Sequence, residues 1–287
     1  MNIEALIPST VDGLMLGFVY GLAAMGLTLI FGVMRVINLA HGAVIAIGMF
    51  VVLLVTTNLG LGPYVGVAVA AAAGLGFGMV MYVVAVDRVI EAPEVSTLLA
   101  TYAVSLMIIG LGTAIFTTSP YTVPVDLGAI TVGNVTIMVT HAIAVVISVA
   151  AAAALWAFLF RTRTGKSIRA VANDRAAAEL MGIDSRRMLA LSFGVGTALA
   201  MTGGALLATL FSFTILSGDA YQVKSFVIVV LGGLGSPLGA LVGGLILGLL
   251  EGVTSVFIPV SWVPVIEYAI FIGILLVRPW GLFGQKS

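Results

Sequence analysis

The chain lacks cysteine, has two histidines and carries few charges. Asp, Glu, Lys and Arg together make up 8% of its 287 residues, against 61% hydrophobic. A soluble domain carries about 25% charged residues, so this composition cannot cover a surface in water. The bilayer must be the solvent for most of the chain. The absence of cysteine excludes disulfides and thiolate metal sites and leaves the redox compartment undecided. His41 and His141 are too few for a multi-histidine metal centre. Twelve basic and twelve acidic residues balance to zero, so no overall field points to nucleic acid. Spans of about 20 residues each consume nearly the whole length and leave no room for a soluble catalytic domain. Residues 1–8 carry Glu4 where a signal peptide has basic residues, and the apolar stretch that follows is too long for one. It reads as a retained first span.

Runs free of charge mark the spans. Residues 13–34 form the first. Residues 36–86 are long enough for two, with Asn58-Leu-Gly-Leu-Gly-Pro63 as the turn between them. Residues 95–118 make a fourth, 134–160 a fifth and 188–211 a sixth, with a loop holding Pro120, Pro124 and Asp126 between the fourth and fifth. Gly232-Gly-Leu-Gly-Ser-Pro237 breaks the next run. This predicts a short half-helix, a break, a full span from about 238 to 257 and a last one from about 265 to 277. The expectation is an all-α, polytopic transmembrane bundle. It has about eight spans plus a short broken or re-entrant helix in a single domain, 1–287.

Seven of the twelve basic residues lie in the loop 161–187: Arg161, Arg163, Lys166, Arg169, Arg175, Arg186 and Arg187. Short loops rich in Lys and Arg stay in the cytoplasm. Counting back five spans puts the N-terminus outside. Counting forward puts the C-terminus inside, provided the broken element counts as a crossing. The loop 87–94 falls on the cytoplasmic side although it is net negative; acidic residues weigh little in this rule.

Thirty-five glycines are many for a helical chain, and several recur every four residues: Gly13, Gly17, Gly21; Gly235, Gly239, Gly243; and Gly244, Gly248, Gly252. This spacing puts them on one helix face, where two backbones can approach closely. Packing within the chain and packing against a second membrane subunit both satisfy the pattern.

Within the basic loop, Asn173 suits an N-cap and Asp174 the first turn. Ala176 to Met181 are strong helix formers, and Gly182 suits the position after the C-cap. A helix of about two turns is unstable alone in water, and Leu180, Met181 and Ile183 give it an apolar end with which to pack. Gly165-Lys166-Ser167 mimics the end of a phosphate-binding loop, but the glycine that pattern needs further upstream is replaced by Phe160. Nucleotide binding by this chain is therefore rejected.

This loop resembles the coupling loop of ABC importer permeases, in which two alanines and a glycine four residues on form a helix that seats in a groove of the ATPase. The matching positions are Ala177, Ala178 and Gly182. Ala176 stands where the general pattern has Glu, a variant similar to that of the LivH-type branched-chain amino acid permeases. The stretches 26–42 and 231–240 and the closing Arg278-Pro279-x-Gly281-Leu282-Phe283-Gly284 are similar to signatures of the same family. The resemblance covers essentially the whole chain.

It implies a transport subunit rather than an enzyme, in a bacterial inner membrane, with no catalytic residues and no cofactor or metal of its own. ATP and Mg would be held by two ATP-binding subunits. A second permease subunit and a periplasmic binding protein would complete the assembly. The solute would be a branched-chain or other hydrophobic amino acid, or a related small solute such as urea, an amide or an aromatic acid. Arg169, Asn173, Ala177, Ala178, Glu179 and Gly182 are the expected ATPase-coupling residues.

Polar groups at membrane depth are costly unless partnered or facing water. Asn38 and His41 fit either a helix–helix hydrogen bond or a broken helix lining the translocation path. The break at Gly232, Gly233 and Gly235 fits the discontinuous helices of transporter sites. Glu251 and Glu267, the other intramembrane ionisable residues, fit a pair or a proton relay, but an interfacial position is expected for each. The competing function is a stand-alone, ion-coupled secondary transporter, which has no use for a coupling loop. A membrane enzyme lacks any metal or nucleophile constellation.

Overall fold

The structure is a computed structural model that describes residues 5–132 and 135–277. The calls on residues 1–4 and on the closing motif at 278–284 lie outside the described residues. The helices are α1 Leu6–Met34, α2 His41–Leu59, α3 Pro63–Met81, α4 Glu94–Phe116, α5 Val139–Arg161, α6 Arg163–Asn173 and α7 Arg175–Leu180. They continue with α8 Ser185–Leu210, α9 Ser217–Gly232, α10 Pro237–Phe257 and α11 Val263–Val277. A π-turn, Tyr82–Val86, extends α3. Seven of these helices are long and apolar enough to cross a membrane, and α11 is a shorter apolar one. With α9 as the broken element, seven of the expected eight spans are long enough to cross, and α11 stands at the place of the eighth as a shorter apolar helix.

The turns form where the residue chemistry asks for them. Gly60 ends α2 with φ +63°, and Pro63 opens α3 at the first helical position. One boundary differs from expectation. Val135–Met138 pairs antiparallel with Ala129–Val132 as a hairpin (β2 with β1), so α5 starts at Val139 rather than near 134. Val135, Thr136 and Ile137 are β-branched and favour a pleated surface over a helix.

α1 and α8 are the axis of the bundle. They run antiparallel, with the backbones of Gly26 and Gly196 in direct contact and Gly203 against Ala23. α10 lies antiparallel on another face of α1: Gly17 meets Gly244 and Gly13 meets Gly248 and Gly252. On its other side α10 folds back on α9 through Gly239 and Gly243, which touch Gly232 and Ile228. The four-residue glycine patterns in α1 and α10 are thus spent on packing within the chain. Lipid tails are as apolar as leucine side chains, so this close approach supplies dispersion contacts that lipid does not.

Candidate functional site

The loop 161–187 is almost wholly helical. Thr162 caps α6, its Oγ1 accepting from Gly165 N at 3.0 Å. Ile168 and Val171 are buried beneath the bundle. Gly165-Lys166-Ser167 lies inside this helix, so its N–H groups are not arranged as a phosphate cradle. The cap of the following helix is displaced by one residue from the sequence reading. Asn173 is the last residue of α6, and Asp174 caps α7, with Oδ1 accepting from Ala177 N at 3.0 Å. Both residue types cap well; the preceding helix uses up Asn173. Gly182 has φ +80° and follows the end of α7, as its position suggested.

α7 is fixed from below and bare on top. Ala178 is buried, and Ile183 packs against the core. Leu180 and Met181 are 89% and 82% exposed. Glu179 pairs with Arg175 at 3.2 Å, and Arg169 turns back to α5, donating from Nε to Leu159 O at 3.1 Å with its guanidinium 4.4 Å from the Phe160 ring. Ala177, by contrast, carries no side chain that could do more than fit a groove.

The second group of predicted residues divides in two. Between α1 and α2 the chain leaves helical form. Arg35 takes a left-handed conformation (φ 54°) with its N–H donating to Phe31 O, and residues 35–38 have no regular structure. Leu39 N donates to Thr101 Oγ1 at 3.2 Å and Ala40 N to Asn38 Oδ1 at 3.0 Å. Gln222 of α9 bridges the segment, its Oε1 accepting from Gly42 N and its Nε2 donating to Asn38 O at 3.4 Å. Asn38 and His41 are each 1% exposed. Irregular backbone within a membrane survives only where the protein satisfies it, and here Asn38, Thr101 and Gln222 do so. Thr101 and Gln222 had no sequence signal, because their partners lie 62 and 180 residues away.

The glycine break lies elsewhere. Gly233 and Gly235 have φ +93° and +85°, conformations that only glycine adopts freely. They form the turn between α9 and α10, where Gly235 meets Gly32 near the end of α1. Gln222 is ten residues up α9 from Gly232, roughly 15 Å at 1.5 Å per residue. Asn38 and His41 therefore gather with Gln222 at depth, and Gly232, Gly233 and Gly235 sit at the end of the bundle that also holds the terminus of α1.

Glu251 and Glu267 are not independent interfacial groups. Lys224 Nζ lies 2.6 Å from Glu251 Oε2, 3.4 Å from Glu267 Oε1 and 4.7 Å from the centre of the Tyr20 ring. The Glu267 side chain is 3% exposed. Charges inside a membrane protein are retained where they pair with one another. This cluster ties α9, α10 and α11 together, and Lys224 is its unforeseen member. An apolar cleft of about 640 Å³ also opens between α3, α5 and α8, lined by Tyr64, Ala71, Leu75, Ala151 and Phe158; its lining holds no acidic, basic or histidine side chain.

The chain matches, over residues 9–277, the family described as branched-chain amino acid transport system / permease component. It is 30% identical to the high-affinity branched-chain amino acid transport system permease protein LivH of Escherichia coli, over 96% of this chain and 94% of the relative. It is 28% identical to the permease protein BraD of Pseudomonas aeruginosa, over 96% of this chain and 95% of that one. A probable LivH from the archaeon Methanocaldococcus jannaschii is 27% identical over 92% of this chain. No solved structure matches. A multi-pass helical bundle, four family-like sequence stretches and a match along nearly the full length agree, and the chain belongs to the branched-chain amino acid permease family of ABC transporters.

Proposed function

We propose that this chain is the membrane-spanning subunit of an ATP-driven importer that carries leucine, isoleucine and valine across a bacterial inner membrane. It would work with a second permease subunit, two ATP-binding subunits and a periplasmic receptor. The observation that carries the reading is α7. A six-residue helix is unstable by itself in water. Here it is capped by Asp174, seated through Ala178, and presents Leu180 and Met181 bare. Two large apolar side chains held out on a short, braced helix are the knob of a knob-and-groove contact. The basic residues of α6 to α8 support a cytoplasmic position for this end; the N-terminus would then lie in the periplasm and the C-terminus in the cytoplasm. ATP and Mg belong to the partners.

A tagged chain expressed with its two ATP-binding subunits is expected to retain both through purification in mild detergent. Recovery of the permease alone, active without them, contradicts the reading. Uptake of urea, an amide or an aromatic acid in place of leucine would keep the mechanism and change the solute.

The translocation path is assigned to the segment holding Asn38 and His41 and to the break at Gly232, Gly233 and Gly235. Asn38→Leu removes the acceptor of Ala40 N and leaves a buried donor unpaired. The unpaired donor costs about 1–3 kcal/mol of local stability, and transport is expected to fall with ATPase recovery unchanged. Gly233→Leu adds strain at φ +93° and is expected to impair transport likewise. Normal uptake in both variants removes these residues from the path.

A stand-alone ion-coupled carrier is the second reading. The Lys224–Glu251–Glu267 cluster is the feature in its favour, since such carriers use buried carboxylates as ion relays. It gives α7 nothing to do.

A further inference from the structure

The short loop between α3 and α4 is acidic. Asp87, Glu91 and Glu94 stand against Arg88, a balance that does not suit a loop on the same face as the basic α6 and α7. The structure gives two of these carboxylates a use. Asp87 Oδ2 lies 2.6 Å from Arg186 Nη2, and Glu91 Oε1 lies 3.5 Å from Arg175 Nη2. Arg175 is the first residue of α7 and Arg186 the second of α8. The loop therefore grips the α7–α8 connection at both ends.

The two pairs are unequal. Arg175 and Glu91 are 40% and 81% exposed, and water and salt screen such a pair. In the other pair the Arg186 side chain is 65% exposed but Asp87 only 17%, so water reaches this pair mainly from the arginine side, and at 2.6 Å it is the closer of the two. Asp87 also closes the π-turn: its N–H donates to Tyr82 O at 2.8 Å. Tyr82 is fully buried with its ring 6.1 Å from Phe193 of α8. A π-turn within a helix carries one extra residue per turn and is frequently found at functional sites. Asp87 thus joins the irregular end of α3 to the first turn of α8, shortly after α7.

We propose that the loop 87–93 is a second moving part of the coupling apparatus, in which the Asp87–Arg186 pair transmits a push on α7 to α3. The inference rests on α7 being the ATPase dock. Asp87 acts through Arg186 and is a positioning residue. The joint needs opposite charges at 87 and 186, in either order.

The test uses the complete importer, with ATP-binding subunits and receptor, in liposomes, and reads ATP hydrolysed per leucine carried. Asp87→Asn is expected to retain the ATPases and basal hydrolysis while raising that ratio at least about fivefold, the lower end of coupling between sites. Asp87→Lys combined with Arg186→Glu is expected to bring it back. The chain has no cysteine, so Asp87→Cys with Arg186→Cys can be bridged by a bifunctional thiol reagent about as long as the ion pair. Unbridged, this variant should behave as Asp87→Asn; bridged, it should recover coupling. An unchanged ratio in Asp87→Asn, a charge reversal no better than the single change, or a bridge that restores nothing overturns the proposal. Failure of the docking reading shows separately, as loss of ATPases from the unaltered chain.

Discussion

Deletion of residues 173–182 is expected to abolish recovery of the ATP-binding subunits with this chain and to stop ATP-driven uptake, with membrane insertion unchanged. The spans are set by the charge-free runs on either side, and the deletion removes α7 alone with its flanking residues. A finer version tests the same contact without shortening the chain. Leu180 and Met181 are almost fully exposed, so Leu180→Asp with Met181→Asp costs the isolated subunit little. Buried in a partner's groove, each side chain contributes about 1.5–3 kcal/mol before the costs of association. An anchoring pair of this kind behaves as a binding hot spot, where loss of about 2 kcal/mol weakens binding roughly 30-fold. Affinity of the permease for its ATPases, measured by titration in detergent, checks this. Full affinity in the double variant means that α7 is not the dock.

Gly17→Leu is expected to prevent accumulation of folded protein. A Cβ at position 17 would stand 2.7 Å from Gly244 O and 2.9 Å from Leu245 Cα. Both are backbone atoms of α10, so no side chain can swing away and the helices must part. Overpacking a core costs about 1–3 kcal/mol and more where backbone must move, and separation here would open the whole seam from Gly13 to Gly252. Gly110→Leu is the control. Nothing lies within 4 Å of a Cβ at that position in α4, and a surface change usually stays within about 0.5 kcal/mol. Monodisperse yield on size exclusion and thermal unfolding in detergent read the difference. Similar behaviour of the two variants would show that α1 and α10 are not zipped through glycine.

The parts of this fold that depend on local chemistry were legible in the sequence. Charge-free runs gave the spans, Gly60 and Pro63 the α2–α3 turn, and Gly182 the end of α7. The four-residue glycine spacing foretold a close helix contact but not its partner, because one small-residue face serves a neighbour in the chain or in another subunit equally well. What sequence could not show was set by distant pairs. Nothing about Gln222 or Thr101 announces that they hold up residues 37–42. Nor does Lys224 advertise two glutamates on α10 and α11. The shift of the α7 cap from Asn173 to Asp174 has a nearer cause. α6 is amphipathic, with Gly165, Ile168 and Val171 on its inner side, and its burial carries the helix on through Asn173, which leaves Asp174 to cap α7.

Asp87 illustrates a different limit. As an acidic residue in a loop expected in the cytoplasm it only weakened the topology argument. Placed 2.6 Å from Arg186, it ties the end of α3 to the first turn of α8, a pairing that only the folded chain reveals.

The most direct measurement is leucine uptake into liposomes holding the second permease subunit, this chain and the receptor, with and without the ATP-binding subunits. Uptake that requires both those subunits and ATP, and that ignores imposed proton or sodium gradients, is the predicted result. Accumulation driven by an ion gradient in their absence contradicts it.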